Sequence, residues 1–133
     1  MYVYKHTLSS VTGLIYFKNP RIERPPPDSV MLVTVRRLSN PEQVLQAARI
    51  PLATQRLPLQ FQFPRRDNAI MEEQEDLIVE AVVCDPLKVD LATKTCAKPF
   101  MTGSGVAKAL SFPSPDDPSQ VVRLRAGVSV ALE

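Results

Sequence analysis

Residues 57–63 read LPLQFQF and residues 77–83 read LIVEAVV. In the first stretch Leu57, Leu59, Phe61 and Phe63 are apolar, with Pro58, Gln60 and Gln62 between them. A period of two places the two sets on opposite faces of a strand, whereas a helix would scatter them around its axis. Pro64 ends the pairing, because proline has no amide hydrogen to give to a ladder. In the second stretch Leu77, Val79, Ala81 and Val83 share one face. Ile78, Glu80 and Val82 leave the other face mostly apolar, which predicts a central strand. Residues 30–35, VMLVTV, form a continuous β-branched run that suits a buried strand, and Arg36 and Arg37 mark its return to solvent.

Weaker strands follow outward from these three. Residues 11–17, VTGLIYF, read as a strand with Gly13 at a bulge, and Tyr2, Tyr4 and His6 extend it. Residues 47–52, AARIPL, contain Pro51 and belong at an edge or a strand end. Residues 106–112, VAKALSF, fit a strand or, given their alanines, a short helix. Residues 121–132, VVRLRAGVSVAL, form one long strand or two broken at Gly127. Residues 40–48, NPEQVLQAA, predict one or two helical turns, with Asn40 as cap, Pro41 at the first position and Glu42 in the first turn.

Proline-rich and polar segments separate these runs. Residues 19–27, NPRIERPPP, end in a triple proline expected to be extended polyproline II. PRRDN at 64–68 and PSPDDP at 113–118 read as solvent-facing turns, and residues 85–95 as a polar connection. Seven or eight short antiparallel strands with almost no helix predict an all-β, immunoglobulin-like β-sandwich. Residues 11–133 form its single domain and residues 1–10 an arm or strand extension. A chain of 133 residues suits one domain.

Composition narrows the function classes. Sixteen basic and fourteen acidic residues give a net charge of +2, too weak to argue for nucleic acid or an anionic membrane. No apolar run approaches the roughly 18 residues that span a bilayer. The first residues lack the basic, apolar and small-residue pattern of a signal peptide, and no lipid-bearing cysteine is present. The expectation is a protein that is not exported, or a mature or trimmed form.

No motif supplies chemistry. The single histidine, His6, has no nucleophile or orienting acid beside it. MEEQED places Glu72, Glu73, Glu75 and Asp76 together without the alternation and glycine of a calcium loop, and reads as a solvated turn. Arg21, Arg24, Arg36, Arg37, Arg65 and Arg66 are scattered, with no stacking aromatics to make a nucleic-acid face. TGSGVAK carries Gly103, Gly105 and Lys108 at spacings that do not match a phosphate loop, and reads as a turn. Cys84 and Cys96 match no zinc or redox spacing. They form a disulfide closing a short loop or remain two separate thiols. No cofactor or metal and no enzyme activity are expected.

The order of elements resembles the YbaY/YscW-type lipoprotein family, which includes type III secretion pilotins. The resemblance lies in VTGLIYF, then PPPDSVMLVTVRRLS, PEQVLQAARIPL, LPLQFQFP and DLIVEAVVC. It implies a small sandwich without catalytic residues that assists assembly of a membrane complex. The family's lipid-bearing cysteine is absent here. The resulting expectation is a non-catalytic accessory subunit that docks onto a larger, membrane-associated complex. Its setting would be membrane-peripheral, in an organelle lumen or matrix or in the periplasm rather than free cytoplasm. A free-standing chaperone for a client protein and a small-ligand-binding sandwich are the alternatives. Partner contacts are expected from Tyr2 and Tyr4, from the arm Arg21, Arg24, Pro25, Pro26 and Pro27, and from Lys88 and Phe100 in the connection holding Cys84 and Cys96.

Overall fold

The central strand is β2 (Val30–Arg37), buried without a break from Val30 to Val35. Burial on both faces demands cover on both faces. Met31, Val33 and Val35 join the main core, and Val30, Leu32 and Thr34 are covered on the other side. β2 pairs antiparallel with β3 (Asn40–Pro51) and with β5 (Leu77–Cys84). β5 pairs in turn with β8 (Met101–Ala107), giving the order β3-β2-β5-β8. The second layer holds β1 (Val11–Phe17), β4 (Leu59–Phe63) and β11 (Val128–Leu132) in the order β11-β1-β4. Its inward residues Val11, Ile15, Phe63, Val128, Val130 and Leu132 close the core against β2 and β5. Two ribbons complete the chain, β6 (Val89–Asp90) with β7 (Thr95–Cys96) and β9 (Ala109–Pro113) with β10 (Val121–Arg125). The computed structural model describes residues 11–19, 21, 24–63, 75–90 and 92–133.

The all-β sandwich architecture stands, and β5 is central as its two apolar faces predict. The strand count is higher than seven or eight, with eleven strands among the described residues, four of them in the two ribbons. One pairing is parallel: β1 runs alongside β11, from Gly13 opposite Val128 to Phe17 opposite Leu132. The chain reaches β11 from β10 through Ala126 and Gly127, not through a hairpin with β1, so no tight turn imposes an antiparallel course.

Four local expectations are corrected. Residues 40–48 are not helical: β3 runs from Asn40 to Pro51 as the hairpin partner of β2. A ladder of eight paired positions outweighs the capping signal of Asn40 and Pro41. Pro41 is tolerated because β3 is an edge strand, and Pro51 ends it as expected. Gly13 makes no bulge, for its register with β4 and β11 is unbroken. Gly103 and Gly105 lie inside β8 and not in a turn. A Cβ on Gly105 would stand 2.6 Å from the Ser129 carbonyl oxygen, so these glycines let β11 cross β8 closely. Residues 106–112 are split at Lys108 between β8 and the separate strand β9.

Asp76 and Glu75 are structural and not merely solvated. Asp76 accepts a hydrogen bond from the Ala109 amide at 2.9 Å, where the β9–β10 ribbon leaves the sandwich. Glu75 pairs with Arg37 at 2.9 Å and accepts from the Ser39 hydroxyl at 2.7 Å. Arg125 donates to the Glu75 carbonyl oxygen at 2.9 Å and so fixes the base of the ribbon. Burial lowers the Arg125 pKa, and Asp76 and Glu75 oppose that shift.

The two layers meet along one side and part along the other. On the closed side the Thr102 amide donates to the Glu133 carbonyl oxygen at 3.1 Å, and the Glu133 amide returns the bond at 3.0 Å. On the open side, β3 ends one sheet and β4 ends the other.

Candidate functional site

Among the described residues each of these two edge strands stands unpaired on one side. β3 carries a proline near each end, and β4 is short and preceded by Pro58. Proline cannot donate to a ladder, so at either edge only the stretch clear of the prolines can take a further strand. Between them lies a recess of about 320 Å³. Val33 of β2 is at its floor, Ala48 and Ile50 of β3 line one wall, Leu59, Phe61 and Phe63 of β4 line the other, and Gln55, Gln60 and Gln62 add polar groups to the lining. Phe61 and Phe63 point to the same side by strand period and meet edge to face, their rings 6.1 Å apart. Ala48 is the smallest side chain of the lining.

Gln55 also borders a second recess of about 240 Å³, lined by Phe17, Arg24, Pro25, Pro26, Pro27, Leu52, Arg56 and Leu57. The two recesses therefore lie side by side, with Gln55 between them. The triple proline does not project as an extended arm. Its Pro26 carbonyl oxygen accepts from the Ser29 amide at 3.0 Å, closing a turn, and the Ser29 carbonyl oxygen accepts from the Leu52 amide at 3.0 Å. These bonds tie the prolines to the end of β3. The Arg24 guanidinium lies 4.3 Å from the centre of the Phe17 ring, a cation–π contact that holds it at the rim. Arg24 and Arg56 are exposed, and among the described residues neither makes an ion pair. The rim of this second recess is positive.

Gln46 lies on the same inward face of β3 as Ala48, opposite Val35. It is 6% exposed, and among the described residues neither end of its amide has a hydrogen-bond partner. A buried, unsatisfied amide is costly.

The other expected contacts lie elsewhere. Arg21 is exposed, with its amide bonded to the Asn19 side chain at 3.0 Å. Lys88 and Phe100 belong to the connection from Asp85 to Phe100, which the Cys84–Cys96 disulfide closes. Cys84 is fully buried at the end of β5, and the Phe100 amide bonds back to the Val83 carbonyl oxygen at 2.8 Å. Leu87, on a single turn of 3-10 helix beside Lys88, is 92% exposed, and Phe100 is 47% exposed. Registers place this connection and the proline turn at one end of the sandwich, since Val30 pairs with both Pro51 and Cys84. Lys88 and Phe100 do not line the groove. Tyr2 and Tyr4 lie outside the described residues, as do His6, Glu72 and Glu73.

Sequence reasoning missed Ala48, Ile50, Gln55 and Arg56 as groove residues. Pro51 signalled an edge nearby, but nothing local says that two edges flank one opening. A wider recess of about 720 Å³ spans the three-stranded layer and is lined by Thr12, Gly13, Leu14, Gln60, Phe61, Gln62, Gly127, Val128 and Ser129, none of which titrates. Among the described residues no three His, Cys, Asp or Glu side chains gather as a metal site, and no helix is long and apolar enough to cross a membrane. Comparison with protein-family models, curated proteins and solved structures gives no match to this chain.

Proposed function

We propose that this protein is a non-catalytic accessory subunit that docks onto a larger protein assembly. The observation that carries the reading is the open side of the sandwich, where β3 and β4, each unpaired on that side among the described residues, flank a groove with an apolar floor. Unpaired edges are the usual place for one chain to add to another's sheet. The exposed Leu87 and Phe100 on the disulfide-closed connection give a second apolar contact at the same end as the proline turn. The resemblance to the YbaY/YscW-type family points the same way, towards assembly of a membrane-associated complex.

Purification at native abundance under mild conditions, with mass spectrometry of what accompanies the chain, tests the reading. The expected result is a fixed set of subunits from one assembly in constant ratio. Recovery of the chain alone would overturn it. A free-standing chaperone for one client is the second reading, favoured by the same groove, and it predicts a single short-lived partner in place of a fixed set.

A further inference from the structure

We infer that the groove between β3 and β4 receives an extended segment of a partner polypeptide, apolar at alternate residues and acidic at the end that reaches Arg24 and Arg56. The inference rests on the docking reading above and specifies the shape and chemistry of what docks.

The backbone sets the shape. Among the described residues β3 and β4 each present an unpaired edge to the opening, and an incoming strand satisfies such groups by adding to the ladder. The floor and walls set the period. Ala48 and Ile50 are two residues apart, as are Phe61 and Phe63, so apolar positions in the guest must also recur every second residue. Ala48 leaves the space that one of these side chains fills. β4 has five residues, so the matching guest segment spans about 17 Å, or about five residues.

Charge sets the direction. Arg24 and Arg56 border the neighbouring recess, which shares Gln55 with the groove, and neither has an acidic partner among the described residues. A guanidinium at the rim of an apolar site favours a carboxylate, which it binds with two parallel hydrogen bonds. The segment therefore carries Asp, Glu or a terminal carboxylate at that end.

A phage-displayed library of random dodecapeptides, panned on the oxidised full chain, tests this. The expected selection has apolar residues at i, i+2 and i+4 and an acidic residue at one end. Ala48→Arg fills the groove and should weaken the selected peptides at least tenfold. Arg56→Glu lies at an exposed position outside the strands, so its melting curve should match the wild type while the selected end charge reverses to Lys or Arg. Failure to select any peptide, selection without alternation, or an end charge indifferent to Arg56→Glu would each overturn the inference. So would a dimer in analytical ultracentrifugation that dissociates on Ala48→Arg, which would assign the groove to a second copy. If co-purified subunits are found but the library gives none of these signatures, the docking reading survives and the groove assignment does not. If the signatures appear and the chain purifies alone, the groove binds peptides and the subunit reading falls.

Discussion

A methyl group on Gly13 has no place to go. It would stand 2.7 Å from the Phe61 ring and equally close to a Val128 methyl group, with the Val128 carbonyl oxygen nearer still. The clash is with backbone as well as side chain, so relaxation must separate β1 from β11. Gly13→Ala should lower stability by about 3 kcal/mol, the upper part of the usual overpacking range, as read from denaturant midpoints. Gln46 should respond with the opposite sign. Among the described residues its buried amide has no partner, so Gln46→Leu removes a desolvation cost and should raise stability by about 1–3 kcal/mol in the same measurement. Two exposed carboxylates report on their turns. The amides of Ala92 and Thr93 hold the Asp90 carboxyl below its ordinary 3.8, and the hydroxyl and amide of Ser119 do the same for Asp117. A lowered folded pKa means that these bonds contribute fully above the unfolded value and are lost as pH falls through the folded one. An NMR titration should find both carboxyls changing below pH 3.8, with the turns unaffected at higher pH.

The elements differ in how far their own residues determine them. The disulfide-closed connection is held at its ends, by Cys84–Cys96 and by the bond from Phe100 to Val83. Closing a loop of twelve residues is worth about 3 kcal/mol in the chain-entropy model. Denaturant unfolding with and without reductant should differ by about that amount, and the far-ultraviolet strand signal should persist in the reduced folded protein. β4 and β5 were legible in the sequence because their period and their burial coincide, as where Leu59, Phe61 and Phe63 face inward and Gln60 and Gln62 outward, and β2 because its unbroken apolar run matches burial on both faces. β3 was not legible, because Asn40, Pro41 and Glu42 are good helix-start residues and the ladder that overrides them is non-local. β8 was hidden for a related reason. Gly103 and Gly105 look like turn residues until β11 is placed against them. The arm Arg21 to Pro27 was picked out by its prolines, but the role of Arg24 to Pro27 as a recess wall depends on Leu52 and Leu57, which line the same recess.

At the scale of the whole molecule, the layers are joined by the Thr102–Glu133 bridge on one side and open between β3 and β4 on the other. Which edges remain unpaired is a property of the complete topology, so no segment of sequence announces the groove. The asymmetry also runs end to end. The proline turn, Leu87 and Phe100 share one end, and the β9–β10 ribbon is fixed by Asp76 and Arg125 at the other. A guest strand in the groove would therefore emerge beside the exposed Leu87 and Phe100. The most direct measurement is size fractionation of a native extract, following the wild-type chain and the Arg56→Glu variant side by side. The account predicts that the wild type migrates with a particle far larger than its own 14.8 kDa, and that the variant shifts towards the free chain. Migration of the wild type as a free 14.8 kDa monomer, or identical large-particle migration of both, would contradict it.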